Sequence, residues 1–311
     1  MTGEAELASE LTPELRVFVE FVAKKGRELY RDLPWRRTYD PYAIWISEVM
    51  LQQTQVSRVD GRWQRWLERF PTVDALAAAA PSDVLEEWQG LGYNRRALSV
   101  HRAAQAISEA GGVFPQDQKE LVKLPGIGPA TAAGIRAFAF NLHGVYLETN
   151  VRTVFLHELY PQAEGVPDSE LVPLVELTCP ASVENATNVA DTDSTENDAT
   201  AELTPRSWYY ALLDYGAYLK KTIPNPSRRS KSHVKQTRFE GSHRQKRAEL
   251  LRVLLAHKDE GGAVFETLHQ ELCQIEVNAG RETLDEQVTL GLLEELAKEG
   301  FCQKNDEYWL P

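Results

Sequence analysis

Two short segments carry residue types whose spacing suits chemistry. In Trp45-Ile46-Ser47-Glu48-Val49-Met50-Leu51-Gln52-Gln53-Thr54-Gln55 one acid stands in a largely apolar run. On a helix, Trp45, Glu48 and Gln52 share a face at i, i+3 and i+7, which sets the carboxyl beside aromatic and apolar neighbours. Such surroundings disfavour the anion, raise the pKa and leave an acid able to deliver a proton near neutral pH. A glutamate exposed on the polar side of the helix is the plain structural alternative. The adjacent Gln52 and Gln53, closing an apolar helix, suit wedging into a base stack. The second segment is Leu124-Pro125-Gly126-Ile127-Gly128, ahead of the helical run 129–142. Two glycines one residue apart after a proline make a tight hairpin whose N–H groups lie at a helix N-terminus, an arrangement that takes phosphate. The same pattern also serves as an ordinary connection between helices.

These residues need helices to position them. Thr12-Pro13-Glu14 is a helix start, with a capping hydroxyl, a tolerated proline and an acid near the positive dipole end. The spacing predicts an amphipathic helix from there to about Arg31. Short helical segments broken by Gly, Pro and Asn then run to about Tyr160 with little period-2 alternation. Residues 181–204 hold six acids, no Lys or Arg and no aromatic residue, which predicts a disordered insertion. A helix resumes at Pro205-Arg206-Ser207-Trp208 and leads into a basic segment. From Lys220 to Arg247 there are ten Lys and Arg against the single acid Glu240. From about Gln245 the pattern is three helices and two short strands, Phe301–Lys304 and Glu307–Leu310, joined by the turn Asn305-Asp306. That order is winged-helix-like, related to the helix-turn-helix.

The 311 residues carry a net charge of -12, with 42% hydrophobic and 26% charged residues, a soluble globular balance that excludes wholesale disorder. The acidic N-terminus lacks the basic and apolar regions of a signal peptide, and no stretch approaches 18 apolar residues, so a cytoplasmic location and no membrane partner are expected. Net acidity does not bar nucleic acid, because binding depends on the local basic face. Three cysteines far apart, Cys179, Cys273 and Cys302, supply neither a disulfide framework nor the four thiolates of a cluster. His101, His143 and His157 lack paired metal spacing and receive no role. Trp63, Trp66, Phe70 and Trp88 read as core aromatics.

Leu33-Pro34-Trp35-Arg36, the segment Trp45 to Val56, Gly90-Leu91-Gly92-Tyr93, Leu124 to Gly128 and Asn150-Val151-Arg152 follow one another as in adenine DNA glycosylases of the MutY type. Over roughly 13–160, and again over 208–219, the chain resembles that family and its helix-hairpin-helix superfamily. The resemblance implies an all-α, two-lobed fold with a terminal lobe of 13–33 plus 145–220 and a middle lobe of 34–144; charge and pattern add a basic linker of 221–244 and the winged-helix-like domain of 245–311. It implies Glu48 as the acid that protonates a flipped adenine at N7, Arg36, Trp45 and Gln52 around that base, and Gln53 and Tyr93 wedged into the duplex. Thr54, Gly126, Gly128, Arg228, Arg229, Lys231 and Lys235 are the remaining expected DNA contacts.

Four departures limit the carry-over. Glu148-Thr149-Asn150-Val151 stands where the family has Asp-Gly-Asn-Val, so Glu148 becomes the second catalytic carboxylate and Thr149 replaces a glycine suited to positive φ. Pro129-Ala130-Thr131 lacks the Schiff-base lysine of the lyase relatives. The iron–sulfur cysteines are missing, so no metal or redox cofactor is expected. The 8-oxoguanine-recognising domain is not recognisable, and Glu282, Asp285, Glu286, Glu294, Glu295 and Glu299 make the predicted third helix of the C-terminal domain acidic, which favours packing or a protein contact over groove reading. The expected function is a monofunctional glycosylase, a monomer on double-stranded DNA, that removes adenine mispaired with G or 8-oxoguanine. The alternatives are a glycosylase for hypoxanthine or a mismatched pyrimidine, and a non-catalytic DNA-binding protein.

Overall fold

The computed structural model describes residues 11–182, 203–232 and 238–311. The stretch expected to be a disordered insertion lies, apart from its ends, outside the described residues. The longer helices are α1 (Pro13–Glu28), α2 (Pro41–Leu51), α3 (Arg95–Glu109), α4 (Pro129–Phe140), α5 (Thr149–Glu158), α6 (Asp168–Thr178), α7 (Pro205–Thr222), α8 (His243–Ala256), α9 (Phe265–Asn278) and α10 (Glu286–Glu299). Strands β1 (Ala263–Val264), β2 (Gln303–Asn305) and β3 (Tyr308–Leu310) complete the chain. The fold is thus mostly helical, as expected, with a small sheet near the C-terminus. Among the described residues no helix is long and apolar enough to cross a membrane.

The described residues fall into two compact units, one within Met1–Glu48 and Phe114–Lys235, the other within Val49–Val113 and Gln236–Pro311. In the first, α1 starts on the Thr12 cap, as predicted, and stops at Glu28 rather than Arg31. Its buried face, Leu15, Phe18, Val22 and Gly26, packs on α7. A Cβ on Gly26 would overlap Ala211, so the two helices approach as closely as a glycine permits. Phe18 meets Phe155 edge-on at 5.0 Å, and Phe138 stacks on Tyr210 at 4.6 Å.

This core encloses charge. Asp214 of α7, with a fully buried side chain, takes Arg36 in a forked pair at 2.7 and 2.8 Å and Arg31 at 2.5 Å. Arg206, the second residue of the same helix, donates to the carbonyls of Phe138, Arg36 and Thr38. These ties decide the first unit's membership. The segment around Arg36 and the helix α4 were expected in a middle lobe of 34–144, yet they share one core with α1, α5 and α7.

In the second unit Trp63, Trp66, Phe70 and Trp88 are buried as expected, with Trp66 edge-on to Trp88 at 5.5 Å. The C-terminal residues do not stand alone as a 245–311 domain, because side chains of 49–113 hold them. Glu299 at the end of α10 pairs with Arg95 at 2.5 Å and Arg247 at 2.8 Å. Lys258 reaches Asp83 at 3.0 Å and Glu86 at 2.5 Å. The acidic helix therefore spends Glu299, and Glu295 through Arg247, on packing. Strand β1, only two residues long and unpredicted, pairs antiparallel with β3, which also pairs with β2, in the order β1-β3-β2. Gly262 permits this: it has φ of +93°, and a Cβ there would strike the Trp309 carbonyl.

Asp214→Ala leaves the Arg36 guanidinium buried without its anion and is expected to cost about 3–5 kcal/mol in urea unfolding. The Arg95 and Arg247 hydrogen bonds hold the Glu299 carboxyl at about 2, below its ordinary 4.5. Its stabilisation is complete above about pH 4.5 and fades as the pH falls toward 2. Glu299→Gln should therefore lower the denaturation midpoint at pH 7 and leave it nearly unchanged at pH 2.

Candidate active site

Helix α2 is apolar nearly all round, with Ile44, Trp45, Ile46, Val49 and Met50 buried. Glu48 interrupts it and keeps part of its surface accessible. Its Oε2 accepts from the Tyr146 hydroxyl at 2.9 Å. Tyr146 is itself placed by α7: its backbone N–H donates to the Tyr209 hydroxyl at 3.1 Å, and that hydroxyl donates to the Gly144 carbonyl. Room for the pair comes from Gly134 of α4, where a Cβ would lie 2.5 Å from Glu48 Oε2 and 2.9 Å from the Tyr146 ring. Burial drives the Glu48 pKa up to about 7, aided by the charge of Glu148 and opposed by the Tyr146 hydrogen bond and Arg36. The acid in apolar surroundings, rather than the solvent-facing glutamate, is what the chain builds.

Glu148 caps α5. Its Oε1 accepts from the backbone N–H groups of Asn150 at 2.6 Å and Val151 at 3.0 Å. Burial raises its pKa, against the lowering effects of the two amides, Lys220 and Arg152. The helix N-terminus and the nearby cations thus favour an anion here, while Glu48 has no comparable amide cradle. Thr149 is the first residue of α5, outside the positive-φ residues, so the glycine it replaces is not needed for backbone conformation.

The other expected residues separate into roles. Arg36 is turned into the core: its side chain is 1% exposed and bound to Asp214, with Tyr210 4.2 Å beneath it. Trp45 is fully buried against Tyr42 and Phe114. Gln52 lies past the end of α2 at Leu51, so it does not extend the face of Trp45 and Glu48. The second unit contains Gln53 and Tyr93, both exposed and both left-handed at φ of +53° and +51°. Thr54 Oγ1 accepts from Arg96 at 3.1 Å.

Gly126 turns the hairpin with φ of +75°, and Gly128 caps α4 with an ordinary negative φ. A Cβ on Gly128 would meet no atom of this chain within 4 Å. Of the basic residues, Arg229 belongs to the fold, donating to the carbonyls of Leu156, Tyr160 and Ala163 around the end of α5. Arg228 and Lys231 are exposed, and Lys235 lies outside the described residues.

Sequence reasoning missed Tyr146 and Arg96. Tyr146 had a signal, since an extended Tyr146-Leu147-Glu148 turns alternate side chains to one side. Arg96 had a fainter one, a cation in the first turn of a helix, where the dipole disfavours it. A four-thiolate iron–sulfur cluster does not fit this chain: Cys179 is buried at the end of α6, and Cys273 and Cys302 belong to the other unit. Among the described residues no three His, Cys, Asp or Glu side chains group so as to hold a metal ion.

A family model described as HhH-GPD superfamily base excision DNA repair protein matches residues 46–201. The adenine DNA glycosylase of Mycolicibacterium smegmatis is 43% identical over 152 residues, 48% of this chain and 52% of that protein. The adenine DNA glycosylase of Buchnera aphidicola subsp. Baizongia pistaciae is 40% identical over 127 residues, 40% of this chain and 36% of that protein. The chain thus spans about half or less of the length of these curated relatives. A solved structure of a thermostable thymine-DNA glycosylase aligns with a TM-score of 0.55 and 21% identity, over 68% of this chain and 90% of that one, a likeness of fold.

Because the folded state binds the Glu48 proton more tightly than the unfolded chain does, stability linked to this group is greatest below pH 4.5 and is lost as the pH rises through 7. Glu48→Gln, which removes the buried anion, should stabilise the protein by about 1–3 kcal/mol at pH 8 and by almost nothing at pH 4, read from urea midpoints at the two pH values.

Proposed function

We propose that this chain, which belongs to the HhH-GPD superfamily of base excision DNA repair proteins, is a monofunctional DNA glycosylase that hydrolyses the N-glycosidic bond of adenine mispaired with G or 8-oxoguanine. The observation that carries the reading is Glu48, a partly accessible carboxyl raised to about 7, hydrogen-bonded by Tyr146 and coupled to a second carboxyl, Glu148. An acid with that pKa holds its proton near neutrality and still yields it to a purine ring nitrogen. A pyrimidine offers no N7, so this acid favours a purine target.

The glycosidic bond lies inside the base stack, so the base must first be turned out. Glu48 gives its proton to N7 of the extruded adenine. The C1′–N9 bond then breaks, and its electron pair leaves with the base. The sugar is left oxocarbenium-like, and the Glu148 carboxylate faces that charge as an electrostatic stabiliser or orients the water that attacks C1′. Tyr146 holds the Glu48 carboxyl in one orientation. Ala130, where the lyase relatives carry lysine, offers no amine, so the product is an abasic site. The Gly126 to Gly128 hairpin at the start of α4, with Arg228 and Lys231, is suited to phosphate, and the open space around Gly128 favours close backbone approach. No metal or redox cofactor enters this scheme, and one copy of the chain suffices for it.

Single-turnover excision on duplexes with A opposite 8-oxoguanine, G or C, and with hypoxanthine, U:G and T:G, tests the reading. Adenine should be released opposite 8-oxoguanine and G. Glu48→Gln and Glu148→Gln should each lower the rate by about a thousandfold or more. The wild-type rate should decline as the pH rises past about 7, where Glu48 loses its proton. Release of hypoxanthine alone would move the substrate, and no release from any duplex, with DNA binding intact in both variants, would leave a binding protein.

A further inference from the structure

We propose that Arg96 is the positioning residue for Gln53 and Tyr93, clamping these two exposed residues into one preformed element that enters the base stack. The proposal rests on the glycosylase reading for what the element enters, and on the second unit alone for its geometry.

The two Nη atoms of Arg96 divide the work. Nη1 donates to the carbonyls of Val49 at 2.6 Å, Met50 at 3.2 Å and Gln52 at 2.7 Å, gathering acceptors at the end of α2. Nη2 donates to the carbonyls of Leu91 at 3.3 Å and Gly92 at 3.0 Å and to Thr54 Oγ1 at 3.1 Å. Gln52 directly precedes Gln53, and Gly92 directly precedes Tyr93. A peptide unit is planar, so fixing the carbonyl of one residue fixes the N–H of the next and with it one side of that residue's φ. Gln53 and Tyr93 are the two residues in this stretch that adopt positive φ without being glycine. Such a conformation persists only where the surroundings over-determine it. One guanidinium therefore holds both strained peptide links.

Its plane also packs 5.5 Å from the Tyr93 ring and 5.2 Å from that of Trp88, whose Nε1 donates to the same Gly92 carbonyl at 3.1 Å. Arg96 pairs with no carboxylate among the described residues, and backbone dipoles answer its charge. The position is specific to arginine, because an ammonium cannot fork between two loops. A placement at the start of α3, against the helix dipole, makes sense only through what the side chain holds.

The test uses Arg96→Lys, Tyr93→Ala and the double variant. On a duplex with adenine opposite 8-oxoguanine each single variant should lower single-turnover excision by about 100-fold. On the same adenine in single-stranded DNA each should lose about tenfold less activity than on the duplex, because no stack needs opening. The double variant should be no slower than Tyr93→Ala, since the two residues act as one element. Equal losses on paired and unpaired substrates would reduce Arg96 to a general fold residue, and losses that multiply in the double variant would mean independent action; either overturns the proposal. A second readout does not require cutting. In the Glu48→Gln background, 2-aminopurine beside the target adenine should brighten on binding duplex, and adding Arg96→Lys should abolish that rise. If the wild type cuts nothing, the glycosylase reading fails while the fluorescence still decides the role of Arg96; an unchanged rise in the Arg96→Lys protein overturns it.

Discussion

A guanidinium group in a dry helical core needs its charge answered, and for Arg36 the answer is Asp214. The pair fixes helix α7 against the segment that leads into α2, and Arg206 on the same helix fixes it against the end of α4. From α7 the constraint runs outward through Tyr209 to Tyr146, and from Tyr146 to the Glu48 carboxyl. The acid is placed by a helix that begins more than 150 residues later in the chain, and Gly134 supplies its space by having no side chain. Buried ionic ties of this kind add little net stability compared with apolar packing, but mispairing them is costly. They specify which helices share a core.

Burial raises the pKa of both carboxyls, which differ in the groups that oppose it. Glu48 has one hydroxyl for company, so its neutral form persists toward neutral pH. Glu148 has two backbone N–H groups at 2.6 and 3.0 Å, together with Lys220 and Arg152 nearby, and these favour its charge. The difference between these two glutamates lies in their hydrogen-bond donors and nearby cations. Glu148 is also the N-cap of α5. Any change at 148 that removes the carboxylate therefore unseats the helix start.

Glu48 was legible because it is the single acid of an apolar helix, and the hairpin because glycines spaced after a proline leave few other geometries. Residues whose roles depend on distant partners were not legible. Nothing near Arg36 announces Asp214, so the core ion pair that this arginine makes does not show in the segment around it. Arg229, in a run of cations, reads as a phosphate contact and is instead a helix-end donor. The boundaries of the two units escaped for the same reason. Local periodicity reports helices, but long-range pairs such as Arg206 with Phe138 and Arg95 with Glu299 decide their membership. Strand β1, at two residues, is too short for any alternation to register.

The interleaving of the two units has a consequence for the order in which the molecule is made. Neither unit is contiguous, so emergence from the ribosome completes neither one in its turn. The first half of the first unit waits, with its arginines uncompensated, until Asp214 has been synthesised. The second unit waits longer still, because the middle strand of its sheet is β3, which ends at Leu310. The aromatic cluster around Trp66 and Trp88 is therefore made well before the helices that complete its unit. Vectorial synthesis separates the two halves of each unit in time, so their long-range contacts close late.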